Sequence, residues 1–401
     1  VGYVEDRWYR QVKTPEGRRV RVKSDRFGRG NRYRVRYLAP DGRERSESFP
    51  DREKRSAEAF LATIESDKVR GAYVDPLAGK LKFAPYAEEW LRTRSFDEST
   101  RESTEYKVRK HLLSFFGNRQ LGAIRPEHIR EWDRSMVGVL ALATRSVVFT
   151  HLCSILNAAV DDGKIVRNPC SARSVIQPQP VERKVVPWTS EQVAAVRGGL
   201  HERYRPVVDL GAGCGLRQGE IFGIADDDLD FKSGWVHVRR QVKVVRSRLV
   251  FGLPKNDKER KVPLSDSAAQ RLRIYSENYP PVLVTLPWED PASTERITAR
   301  LILTTNRRHA IRRGTFNPKS WHPAVRGAGM ERNRANGTHA LRHYYASVLL
   351  DAGESIKALS EYLGHWDPGF TLRTYTHLMP ASPGRTRQAI DSVFDGQDSA
   401  R

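Results

Sequence analysis

Cysteine is nearly missing from this chain. Cys153, Cys170 and Cys214 are its full complement in 401 residues, an odd number without a CxxC pair, so neither a disulfide framework nor a cysteine zinc site is supported. Reduced thiols fit a cytosolic address. Long apolar runs are missing as well: nothing of about 18 residues is available to span a bilayer, and the first residues lack the basic, apolar, small-residue order of a secretory leader. No membrane partner is expected, and the cytoplasm or nucleoid is the expected location. The chain opens on Val1 rather than Met, which leaves room for native residues ahead of it. The third shortage is of negative charge. Against 69 Lys and Arg stand 48 acids, a formal +21, and such an excess suits a polyanion, with nucleic acid the first candidate. With 39% hydrophobic residues the chain can bury real cores, and its length implies two or three of them.

Residues 1–36 carry twelve Lys/Arg and four acids, a local +8. Within them Arg32-Tyr33-Arg34-Val35-Arg36-Tyr37 alternates with period two, the pattern of a strand with one arginine face. Pro40-Asp41-Gly42 supplies turn chemistry, Arg43 to Phe49 reads as the returning strand, and Asp51 is placed to cap a helix with Ala57, Phe60, Leu61 and Ile64 on one side, closed by Gly71. A sheet face of Arg32, Arg34 and Arg36 can enter a DNA groove as a β-ribbon does; the alternative is a solvated charged face. From Phe83 to about Cys170 the period turns helical, with Val148, Leu152, Ile155 and Ala159 as a core stripe and Arg92, Arg94, Lys107, Arg109, Lys110 and Arg145 facing phosphate or water. Pro178, Pro180 and Pro187 mark an extended linker over 171–188. Beyond it Thr189 caps a helix, and strands are expected near Trp235–Val242, Arg248–Leu253 and Arg260–Leu264 in an otherwise helical region.

Four short segments carry the chemistry: Gly215-Leu216-Arg217-Gln218-Gly219-Glu220; Pro254-Lys255-Asn256; Thr338-His339-Ala340-Leu341-Arg342-His343; and Leu363-Gly364-His365-Trp366 with Tyr375-Thr376-His377. A tyrosine phenol needs a base and a positive field before it can attack phosphorus at neutral pH. Two guanidinium forks, Arg217 and Arg342, suit the non-bridging oxygens of a phosphate. His339 and His343 are four apart, but the HExxH glutamate is missing and Arg342 between them repels a cation, so no metal is expected. Gly211 to Gly215 lacks the Gly-Lys-Ser/Thr ending of a phosphate loop and reads as a helix-packing segment, which leaves no cofactor implied.

Taken together and in this order, the segments resemble the tyrosine recombinase or phage integrase family, whose signature is two arginines, a hairpin lysine, two histidines and a nucleophilic tyrosine. The resemblance covers about residues 80–395. It implies catalytic roles for Arg217, Lys255, His339, Arg342, His365 and Tyr375: His339 as base, His365 as a further donor to the phosphate, and Lys255 as the acid that protonates the departing 5′ oxygen. Glu220 is expected to orient Arg217 or its helix. Asn256 and the run Lys258 to Lys261 read as solvated hairpin residues, and His343 and His377 as supporting or structural histidines.

The implied architecture is multidomain. A small α/β module, a three-stranded sheet plus one helix, at 1–75 would grip separate arm-type DNA sites. An all-α core-binding domain at 80–178 would follow, then a mixed, mainly helical catalytic domain with a small antiparallel sheet at 185–395. The implied reaction is strand cleavage through a 3′-phosphotyrosyl link, independent of metal and ATP. Partners would be double-stranded DNA attachment sites, further copies forming a homotetramer on DNA, a host DNA-bending protein and an excision factor. Ile390, Val393 and Phe394, an apolar patch beyond the tyrosine, would dock on the next protomer as the resemblance implies, the alternative being packing onto their own domain. The basic stretch from Arg296 to Arg342, eleven Lys/Arg with one acid, would track the DNA backbone. The alternatives are an idle or accessory DNA-binding protein on this scaffold, a resolvase of replicon dimers, or a metal-dependent nuclease. The last would need clustered carboxylates, and the only dense run, Asp226-Asp227-Asp228-Asp230, reads as a structural turn.

Overall fold

The computed structural model of the chain describes residues 2–15, 17–40, 42–70, 73, 78–180, 184–255, 258–378, 387 and 391. Asn256, Gly71, Asp41 and the tail residues Ile390, Val393 and Phe394 lie outside the described residues. Two compact units emerge, residues 1–95 with 103–181, and residues 96–102 with 182–401. The division near 181 falls within the proline-bearing stretch.

Strands β1 (Tyr3–Asp6), β2 (Tyr9–Lys13), β3 (Arg19–Lys23), β4 (Tyr33–Leu38) and β5 (Glu44–Phe49) open the chain, followed by helix α1 (Lys54–Val69). The alternating segment becomes β4, the centre of an antiparallel sheet ordered β1-β4-β5. Its inward residues Tyr33, Val35 and Tyr37 pack with Ala57 and Ile64 of α1 into a core of their own. The expected three-stranded sheet plus helix is therefore present. Asp51 does not cap α1: Glu53 precedes the helix without a side-chain cap, and Asp51 pairs with Arg32 instead. Beside the sheet, β2 and β3 form a separate hairpin that the sequence reading missed. Its Arg19-Val20-Arg21-Val22-Lys23 also alternates, but Val12 and Val20 stay exposed, so no buried face fixes it.

The helical region holds α2 (Phe83–Thr93), α3 (Glu98–Lys107), α4 (Pro126–Ser135) and α5 (Leu142–Asp161). The chain continues from α3 through a π turn, Val108–Leu113, into the short turn Ser114–Phe116. Val148, Leu152, Ile155 and Ala159 are all fully buried. Of the basic side chains noted above, Arg92, Arg109 and Arg145 pair with Glu89, Glu88 and Asp133.

The second unit begins with α6 (Ser190–Gly199). Thr189 caps it in a reciprocal box, its Oγ1 accepting from Gln192 N while its own N–H donates to Gln192 Oε1. Then come α7 (Pro206–Cys214) and α8 (Gln218–Gly223), and strands β6 (Leu229–Asp230), β7 (Trp235–Val238), β8 (Gln241–Val245), β9 (Arg248–Gly252) and β10 (Arg260–Pro263). β10, β7 and β6 make an antiparallel sheet and β8 with β9 a hairpin, so the single strand expected over 235–242 is two. Helix α9 (Asp266–Asn278) precedes a second hairpin, β11 (Val282–Pro287) with β12 (Arg296–Leu301). Arg300 of β12 pairs with Asp226 at 3.0 Å. Asp228 of the acidic run is buried and paired with Arg239 and Arg240, the structural turn expected.

After a short helical turn at Arg313–Phe316, the described residues continue through α10 (His322–Gly327), α11 (His339–Asp351), α12 (Ile356–Leu363) and α13 (Pro368–Tyr375). One apolar core runs through Val207, Phe222, Val236, Trp321, Leu341 and Leu363. A Cβ on Gly211 of α7 would meet Leu341 at 2.7 Å. Residues 211–215 thus form a helix-packing segment, and α7 and α11 lie close enough to carry one site between them.

Candidate active site

Two glycines place the two arginines. Gly215 ends α7 in the left-handed region at φ +64°, where a side chain would be strained, and an added Cβ would strike Tyr345 at 2.5 Å. Its carbonyl accepts from Arg342 Nη1 at 2.8 Å. Gly364 ends α12 at φ +60° in a Schellman turn: Gly364 N donates to Glu361 O and His365 N to Ser360 O, each at 3.0 Å. Its carbonyl accepts from Arg217 Nη2 at 3.3 Å, while Leu363 O accepts from Arg342 Nη2. The same turn sets the direction of His365.

Arg217 sits at the N-cap of α8, and Glu220 at the third helical position binds both its backbone and its side chain. Arg217 N donates to Oε2 and Nη1 to Oε1, both at 2.8 Å. Glu220 thus touches Arg217 at both its main chain and its guanidinium. A third cation joins from β10: Arg260 donates Nη1 to Oε1 at 3.0 Å and Nη2 to Oε2 at 2.7 Å, and Nε to Tyr362 O. Arg260 was grouped with the solvated hairpin residues. It is buried, whereas Lys258 and Lys261 are exposed; a bidentate partner four strands away in sequence leaves no local periodicity to find. Burial alone would raise the Glu220 carboxyl, but Arg260, Arg217 and Arg342 beside it pull it down to about 2.

Arg342 is completely buried. Burial and the neighbouring Arg217 press its pKa downward, and Glu220 opposes them; the carboxylate and two carbonyls keep the guanidinium charged. Its Nε meets no acceptor among the described residues. His339 begins α11, three residues before Arg342, and its ring stands edge-on to His343 with centroids 4.7 Å apart. Burial, then His343, Arg342 and Arg217, push His339 to about 3, and burial with Arg342 pushes His343 to about 4.

Tyr375 ends α13, a helix started by Pro368 and by Asp367, whose carboxylate accepts from Gly369 N. Burial raises its phenol while Arg342 and Arg217 lower it. The Tyr375 hydroxyl oxygen lies 2.8 Å from Nδ1 of His343. No hydrogen bond joins it to His339 among the described residues, so the histidine read as supporting is the one in contact.

His365 is held from α13 as well. Ser360 Oγ donates to Thr371 Oγ1 at 2.7 Å, and Thr371 Oγ1 is 2.7 Å from His365 Nδ1. The Thr371 hydrogen has no acceptor other than Nδ1 among the described residues, so Thr371 donates to Nδ1 and His365 carries its proton on Nε2. Burial, then Arg342 and Arg217, lower His365 to about 3. Thr371 and Ser360, both buried, had no motif to mark them. His377 lies apart, its Nε2–H donating to Val185 O.

Five of the six residues expected to react, Arg217, His339, Arg342, His365 and Tyr375, thus gather around the ends of α7, α11, α12 and α13. Lys255 does not join them: it lies exposed in the turn after β9, with no ion pair among the described residues. In the first unit Arg32, Arg34 and Arg36 do share the face opposite α1, but they are engaged. Arg32 pairs with Asp6 and Asp51, Arg36 with Glu5 and Glu44, and Arg34 Nε donates to Ser46 Oγ. Among the described residues no group of three or more His, Cys, Asp or Glu is arranged to hold a metal ion, and no helix is long and apolar enough to cross a membrane.

Residues 190–381 match the model of the phage integrase family, and residues 82–137 that of the phage integrase N-terminal SAM-like domain. A putative prophage phiRv2 integrase of Mycobacterium tuberculosis is 26% identical over 383 residues, covering 94% of this chain and 96% of its own length. The fold is similar to that of the Tn1549 transposon integrase in complex with transposon right end DNA, with a TM-score of 0.62 at 20% identity over 74% of this chain and 95% of that one. It is also similar to the lambda integrase solved as a tetramer bound to a Holliday junction, with a TM-score of 0.54 at 17% identity over 83% and 93%. The chain belongs to the phage integrase family of tyrosine recombinases, which are site-specific DNA recombinases.

Proposed function

We propose that this chain is an integrase that cuts and rejoins DNA strands at attachment sites, with Tyr375 as nucleophile and a 3′-phosphotyrosyl intermediate. The observation that carries the reading is a tyrosine hydroxyl within the field of Arg217 and Arg342, with His339, His343 and His365 held neutral around it. Two guanidiniums meet the charge that grows on the non-bridging oxygens, and the open Nε–H of Arg342 and the Nε2–H of His365 are further donors. His339, the base that the family resemblance implies, is a further neutral imidazole near Arg342 and Arg217. Lys255, free to swing from its turn, supplies the proton to the departing 5′ oxygen. The phosphodiester energy is kept in the tyrosyl link, so the reaction requires neither ATP nor a metal.

The protein acts on DNA in the cytoplasm as a homotetramer, as the lambda integrase does on a Holliday junction, with a DNA-bending protein and an excision factor as accessory partners. Residues 1–75, 80–178 and 185–395 serve as arm-binding, core-binding and catalytic domains. Arg32, Arg34 and Arg36 are proposed DNA contacts once phosphate replaces the carboxylates beside Arg32 and Arg36 and the Ser46 hydroxyl beside Arg34.

A nicked suicide substrate tests the reading. Peptide mapping of the trapped complex is expected to place DNA on Tyr375, with cleavage surviving excess EDTA; DNA on Tyr344, Tyr345 or Tyr362, or rescue by magnesium, refutes it. With a sulfur leaving group at the cut, Lys255→Ala is expected to lose little. Equal losses on the oxygen and sulfur substrates would pass the acid role to a neighbour.

A further inference from the structure

The side chain that the fold sets against the nucleophile is His343. Its Nδ1 lies 2.8 Å from the Tyr375 hydroxyl, with ring centroids 5.6 Å apart. His339, one helical turn earlier on α11, stands edge-on to His343. Burial and Arg342 keep His343 neutral at pH 7, and burial keeps the phenol protonated. The phenol hydrogen has no acceptor other than Nδ1 among the described residues, so Tyr375 O–H donates, Nδ1 accepts, and the ring's own proton sits on Nε2.

Tyr375 is 1% exposed, so bulk water offers its proton no path. Arg217 and Arg342 stabilise a phenolate but accept no proton, and among the described residues His343 is the one basic side chain in hydrogen-bond reach of the oxygen. Burial is the larger cause that depresses His343 and Arg342 the smaller; a phosphate arriving beside Arg342 offsets the second of these when the phenol must lose its proton.

We propose that His343 takes the Tyr375 phenol proton during strand cleavage and returns it during rejoining. The proposal rests on Tyr375 being the nucleophile. As the P–Oη bond forms, the hydroxyl proton passes to Nδ1; the P–O5′ bond breaks and the 5′ oxygen leaves with a proton from Lys255. In rejoining, an incoming 5′-hydroxyl gives its proton to Lys255 and attacks phosphorus; the P–Oη bond breaks and Oη recovers the proton from Nδ1.

The test uses the full chain on the suicide substrate and reads the rate of covalent complex formation. His343→Phe keeps a ring and removes the acceptor; His343→Asn keeps an acceptor at the Nδ1 position that takes up no proton. Each is expected to slow the reaction by about 100-fold or more while single-site DNA binding persists. Replacing Tyr375 by a difluorotyrosine, whose fluorines acidify the phenol, is expected to recover about tenfold or more in either variant beyond its effect with His343 present. Should His343→Phe not fold, His343→Asn gives the same reading. Cleavage by the folded variants at the parental rate or faster overturns the proposal, as does slow cleavage without selective recovery. Selective recovery in His339→Asn instead assigns the proton to His339. DNA trapped on another residue of the parental chain refutes the Tyr375 reading itself, a result distinct from any of these.

Discussion

Thr371 shows how one buried hydroxyl fixes the chemistry of a neighbour. It accepts from Ser360 and is left with a single hydrogen, which it gives to His365 Nδ1, so the imidazole presents Nε2–H as a donor. Thr371→Val keeps the shape, removes both contacts and leaves the Ser360 hydroxyl unpaired. Cleavage at saturating DNA is expected to fall by about 10–100-fold, the usual cost of losing such a support, with DNA affinity little changed. Thr371→Ser is expected to restore the rate. Rapid-quench cleavage with both variants checks this, and a loss of affinity with an unchanged rate would contradict it.

Among the elements, α7 and α12 do the placing through their last turns. Both end on a left-handed glycine, and each of these glycines gives its carbonyl to one of the two arginines. Gly364→Ala forces a side chain to φ +60° and brings its Cβ to 3.0 Å from Arg260 Cδ. The expected cost is about 1–2 kcal/mol for the backbone alone, seen as a lower Tm. Cleavage is expected to fall further than that loss of folded protein explains, because Arg217 and His365 depend on the turn. Gly314 has open space around it, and Gly314→Ala is the control expected to be near neutral. Equal behaviour of the two variants would show that the turn does not position the site. The β2–β3 hairpin illustrates what element patterns miss: its alternation matches that of β4, but only β4 buries Tyr33, Val35 and Tyr37 against a helix.

At the scale of the molecule, the +21 charge is not spread as free cations. Many arginines are spent on carboxylates, Arg32 and Arg36 among them. A chain starting near Leu81 is expected to cleave a suicide core substrate at high concentration yet lose integration on a full attachment site. Tethering through a second DNA contact raises the local concentration of the catalytic part. Arg34→Ala in the isolated 1–75 fragment is expected to weaken its DNA binding. A truncated chain that integrates normally, or a fragment that binds no DNA, would leave the arginine face a solvated, ion-paired surface.

The sequence by itself determined the family, the order of the reacting boxes and the period of most elements, because short motifs and hydrophobic spacing are local and survive in one dimension. It also marked Glu220 as the partner of Arg217, three residues away on one helical turn. Tertiary structure alone decided the rest. Arg260 reaches Glu220 across 40 residues, Thr371 and Ser360 meet His365 only when α12 and α13 pack, and the choice between His343 and His339 for contact with Tyr375 depends on which turn of α11 lies beside the end of α13, since the two histidines share one face. Each is a hydrogen bond between residues distant in sequence, and such bonds take their partners from the packing of helices rather than from any repeat along the chain.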